Sequence, residues 1–115
     1  MDLVRDLLLR IAADPKLNGT NFCAFDKSDQ LGDYSQDEIN YHVDLLFAAG
    51  LVEGSRASEE PLVSRLTWKG HEFVDNIRDA GIWGEVKKRI KGLPSVAVGV
   101  VIEIASAEIK KRLGL

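Results

Sequence analysis

The chain has 115 residues, 45% apolar and 29% charged, with ten glycines, three prolines, one cysteine and a net charge of −3 at pH 7. That length accommodates one domain, or a core with an appendage, but not two independent units. The single Cys23 excludes a disulfide scaffold, and this apolar content at low net charge argues against disorder.

Residues 2–13 read as a first helix, because Leu3, Leu7 and Ile11 form one stripe with Val4 and Leu8 beside it. Asp14-Pro15 stops it, since the residue before proline is pushed out of helical geometry. Nothing ahead of this helix looks like a basic start and apolar leader, so the expected location is the cytoplasm. The longest apolar run, Val96 to Ile102, falls short of the roughly 20 residues of a membrane span, and no membrane association is expected.

Over residues 16–34 no helix is predicted. Asn18-Gly19 is a turn signal, residues 21–25 fit a short strand, and the stretch up to Asp33 is polar. Ser35 then opens the clearest element, with Glu38 completing a capping box. Ile39, Val43, Leu46 and Phe47 repeat at helical spacing up to Ala49, and Gly50 ends the helix, predicted over 36–49.

Leu51–Gly54 and Leu62–Leu66 read as the strands of a β-hairpin around a polar loop, with Leu62 and Leu66 on one face and Ser64 between them. Thr67 caps a further helix carrying Trp68, Phe73, Val74 and Ile77 to near Gly81. The tail divides at Gly92-Leu93-Pro94. Before it, Ile82, Val86 and Ile90 form a stripe with Trp83 alongside; after it, Ser95 caps a helix running to about Leu113. Trp68 and Trp83 are read as core or interhelix fillers rather than ligand-binding groups.

The order of these elements, with Tyr41 to Val52 and the block Arg65-Leu66-Thr67-Trp68-Lys69-Gly70-His71-Glu72-Phe73, resembles the winged-helix group of helix-turn-helix domains. The block and the ending Arg112-Leu113-Gly114-Leu115 are also similar to an uncharacterised bacterial family common in phages and prophages, across residues 2–115. The resemblance implies an α+β, winged-helix-like domain over residues 1–80. Residues 81–115 would be a helical extension packing on that domain or on a second copy. It implies a major-groove role for the helix at 36–49 and a phosphate role for the hairpin tip.

The residues themselves set limits on that role. The outward face of the recognition-type helix comprises Gln36, Asp37, Asn40, Tyr41 and Asp44, with no Lys or Arg. Two carboxylates facing a polyanion oppose binding, although Gln36 and Asn40 suit adenine edges. Charge is also divided along the chain: residues 1–54 hold four bases against ten acids, residues 55–115 eleven bases against eight acids. Lys87, Lys88, Arg89 and Lys91 form a candidate anion-binding patch, the alternative being a solvated helix face. The last helix is apolar on more than one side. It either inserts between other helices or buries Val98, Val101, Ile102, Ala105 and Ile109 against a second copy, and a homodimer is the expectation.

Cys23, His42 and His71 are too scattered for a zinc site or a nucleophile–base pair. No Gly-rich phosphate loop or carboxylate dyad is present, so neither enzymatic activity nor a cofactor is expected. The leading expectation is a non-enzymatic accessory protein of phage or prophage type, making protein contacts or regulating weakly. The alternative is a dimeric DNA-binding transcriptional regulator drawing positive charge from residues 87–91.

Overall fold

The apolar stripe of the first helix organises everything that packs around it. The computed structural model describes residues 2–26, 32–56, 59–91 and 98–114. In chain order these form α1 (Asp2–Ala13), α2 (Gln36–Ala48), β1 (Val52–Ser55), β2 (Leu62–Leu66), α3 (Trp68–Ile77), α4 (Ala80–Ile90) and α5 (Val98–Arg112). The class is α+β. Leu3, Val4, Leu7, Leu8 and Ile11 of α1 are all buried, between the Ile39–Val43–Leu46 stripe of α2 and Phe73, Val74 and Ile77 of α3. Arg5 fastens the far end: Nε donates to the Ile77 carbonyl at 3.0 Å and Nη2 to that of Arg78 at 3.1 Å, satisfying carbonyls that the end of a helix leaves open.

No helix occurs among the described residues between α1 and α2. Residues 15–20 form turns, and Cys23 and Val63 exchange both backbone hydrogen bonds, at 2.9 and 2.8 Å. The expected strand at 21–25 is therefore a single rung on the free side of β2. On its other side β2 pairs antiparallel with β1. Glu53 faces Arg65 and Gly54 faces Val63, so Ser64 has no partner in β1. This bulge overturns the expected alternation of Leu62 and Leu66 about Ser64. The extra residue puts Val63 in the core with Leu66, leaves Leu62 half-buried, and buries Ser64 as well.

The link from α2 into the hairpin and the start of α3 are built as one piece. Ser35 and Glu38 form the expected capping box, and Gly50 takes the left-handed conformation, φ +74°, that lets the chain reverse. Thr67 Oγ1 accepts from Gly70 N–H and donates to the Gly50 carbonyl, while Thr67 N–H donates to Leu51. A Cβ on residue 70 would collide with the Leu51 carbonyl oxygen, so only glycine allows α3 so close. The Leu-Thr-x-x-Gly pattern is thus a packing joint.

The helix expected to run to near Gly81 instead ends at Ile77. The Asp79 carboxylate accepts from Gly81 and Ile82 N–H, at 2.7 and 3.1 Å, and starts α4 as an N-cap. A short acidic side chain competes for backbone donors, and here it wins over helix continuation. Those two bonds, Ile82 first, hold the Asp79 carboxyl below its ordinary pKa.

α5 lies on α4 and α3. Val98, Val101 and Ala105 share one cluster with Ile82, Trp83, Val86 and the core of the first 80 residues. The extension therefore packs on the domain itself. Ser95, its expected cap, lies outside the described residues. No helix among the described residues is long and apolar enough to cross a membrane.

Candidate functional site

Geometry first decides what the face of α2 can offer. Asp37 and Tyr41 are exposed, and Asp44 is half-exposed and paired with Arg56 at 3.4 Å. Gln36 Nε2 donates to the Phe25 carbonyl at 2.8 Å and to Asn40 Oδ1 at 2.9 Å. The two amides that could read base edges are thus bonded to each other and to the preceding segment. The hairpin base Arg56 is drawn to the acid of α2 and lies over the Phe47 ring. His42 is held by the Glu38 carbonyl at 2.7 Å and by the rings of Tyr34 and Tyr41.

The candidate anion patch is largely neutralised. Lys87 pairs with Asp2 at 3.1 Å, Lys88 with Glu85 at 3.2 Å and Arg89 with Glu108 at 2.9 Å. Only Lys91 of the four forms no ion pair among the described residues. The candidate anion-binding patch thus carries three paired bases, because Lys87, Lys88 and Arg89 each meet an acid, from α1, α4 and α5 respectively. Asp2 is held below its ordinary pKa mainly by the Trp83 indole N–H, with Lys87 adding to it.

The candidate dimer face is corrected too. Val98, Val101 and Ala105 are fully used inside the chain, against α3 and α4, and cannot serve a second copy without opening the fold. Ile102 and Ile109 are half-buried and pack on the same core. The many-sided apolar character of α5 is explained by insertion, the other option its sequence allowed.

One surface is not evident from residue type alone. Trp68 is 80% exposed, against 5% for Trp83, which alone fills the core as expected of both. The buried stripe of α3 is Gly70, Phe73, Val74 and Ile77, which leaves position 68 about 140° from Phe73 at 100° per residue. That phase was the available signal. Trp68 Nε1–H donates to Glu72 Oε1 at 2.8 Å, one turn on, which fixes the ring. The indole borders a shallow groove of about 580 Å³ with Asp14, Pro15, Arg65 and His71. A second hollow of about 460 Å³, bordered by Phe22 and Ser64, shares Asn18, Glu53 and Arg65 with the first. Between them Arg65 Nε binds Glu53 Oε2 at 2.7 Å, which raises the guanidinium pKa further.

The rest of the surface shows less chemistry. Cys23 is a half-buried free thiol beside β2. Among the described residues no group of three or more His, Cys, Asp or Glu is placed to hold a metal ion.

A family model described as "Hypothetical protein (DUF2513)" matches residues 1–97. The chain belongs to the DUF2513 family. Its relatives include an "Uncharacterized protein" of Haemophilus influenzae, 34% identical over 94 residues that cover 78% of this chain and 75% of that protein. No solved structure matches. The DUF2513 segment contains α1 to α4, the hairpin and both hollows beside Trp68, while α5 follows it.

Proposed function

We propose that this DUF2513 protein is a non-enzymatic accessory protein, of the phage or prophage type its Arg65–Phe73 block suggests, whose winged-helix-like scaffold serves contact with a partner protein. The observation that carries the reading is the state of the α2 face. Asp37 is exposed, Asp44 is held by Arg56, α2 carries no Lys or Arg, and its amides Gln36 and Asn40 are already engaged. Binding to a duplex starts from phosphate neutralisation, and this face opposes it. The bases of α4 do not compensate, because three of four are paired within the chain. An 80% exposed tryptophan supports the partner reading, since Trp and Tyr are enriched where proteins meet.

The test is the binding of the full chain to mixed-sequence duplex DNA, followed by fluorescence anisotropy across a salt series. The expected result is no binding at low salt. Binding that weakens steeply as salt rises would overturn the reading in favour of a DNA-binding regulator.

A further inference from the structure

We infer that the groove beside Trp68 is a docking site for an extended segment of a partner protein that carries an arginine or lysine, whose cationic head stacks on the exposed indole. This inference deepens the partner-protein reading and rests on it.

Two observations on one surface carry it. First, the Trp68 ring is exposed yet fixed: Nε1–H is bound to Glu72, so stacking costs little rotamer freedom. A carboxylate on the indole N–H also polarises the ring toward greater electron density, which strengthens attraction for a cation over its face. Second, acids outnumber bases around it, Asp14, Glu53 and Glu72 against Arg65 and Lys69. Arg65 is neutralised by Glu53, and Lys69, next in sequence, donates to the Ala49 carbonyl at the end of α2. Asp14 in the groove and Glu72 behind the ring form no ion pair among the described residues. A cation arriving on the indole would supply their missing counter-charge.

The shape selects the class of ligand. Both hollows are open and share Asn18, Glu53 and Arg65 in their linings, with Phe22 on one and Trp68 on the other. A trough of this form suits an extended backbone with side chains at both ends, rather than an engulfed small molecule.

The experiment uses the full chain labelled with nitrogen-15, in which the two indole N–H resonances are told apart with Trp68→Phe. Blocked pentapeptides Gly-Leu-Xaa-Leu-Gly, with arginine, norleucine or glutamate at Xaa, are titrated in turn. The arginine peptide should shift and saturate the Trp68 indole signal and leave that of Trp83 still. The norleucine peptide should bind about three- to fivefold more weakly, and the glutamate peptide more weakly again. Glu72→Gln and Asp14→Asn should weaken the arginine peptide but not the norleucine one, a distinction that a merely structural role would not produce. Equal binding of all three peptides, or no shift with arginine, overturns the docking site while leaving the partner reading intact if DNA also fails to bind. Duplex DNA moving the Trp68 signal overturns both.

Discussion

Arg89 Nη2 lies 2.9 Å from Glu108 Oε2, tying the last turn of α4 to a carboxylate that is almost wholly buried on α5; Arg112 Nε stands 3.4 Å from its other oxygen. A buried carboxylate must keep its partners, because losing one leaves charge stranded away from water. Arg89→Ala should therefore cost about 1–3 kcal/mol, the upper part being reserved for full burial that the exposed arginines do not share. Lys88→Ala, one residue away in an exposed pair, should stay within about 0.5 kcal/mol. Urea unfolding followed by circular dichroism ranks the two, and equal effects would refute the buried-carboxylate account.

The two tryptophans should behave as opposites. Trp83→Ala empties core volume and removes the hydrogen bond to Asp2, and should cost about 3–5 kcal/mol. Trp68→Ala should leave stability within about 0.5 kcal/mol of the natural chain. Acrylamide quenching provides the independent check. In the natural chain one fluorophore should be freely quenched and one protected, and Trp68→Phe should remove the quenched component.

Acid should loosen the junction of α1 and α4. The Trp83 indole N–H, and after it Lys87, lower the folded pKa of Asp2 below its ordinary 3.8. A carboxyl depressed in the folded state stabilises fully above its unfolded pKa, and that contribution fades as pH falls through the folded value. The thermal midpoint of the natural chain should thus exceed that of Asp2→Asn at neutral pH, and the gap should close below about pH 4. A gap that persists or widens on acidification would contradict the assignment.

Gly70→Ala tests the joint at the start of α3. On an open helix surface this change gains up to about 1 kcal/mol of helix propensity. Here the methyl meets the Leu51 carbonyl, so a net loss of about 1–3 kcal/mol is expected, read by the same urea unfolding. Gly84→Ala, where a Cβ meets nothing within 4 Å in the middle of α4, should stabilise instead.

Elements with a local cause were readable in advance. α1 carries its stripe and stop, α2 its capping box and glycine, and both helices stand where periodicity places them. What periodicity does not encode is competition. Whether Asp79 restarts a helix depends on two nearby N–H groups choosing a carboxylate over the chain behind them. Beside the bulge at Ser64, Val63 bonds on the opposite side of β2 to Cys23, forty residues earlier in the chain, a pairing that no local pattern announces. The cationic run of α4 read as a patch because its partners Asp2 and Glu108 come from distant parts of the chain. Trp68 differs for another reason: the apolar bulk of tryptophan favours burial, while its phase on α3 points it outward.

The way α5 spends its valines has a thermodynamic corollary. A helix whose greasy side is consumed by its own chain contributes to a unimolecular transition, so dilution should not loosen it. Melting curves recorded over a hundredfold range of protein, about as wide as such titrations run, should superimpose as far as this helix governs them.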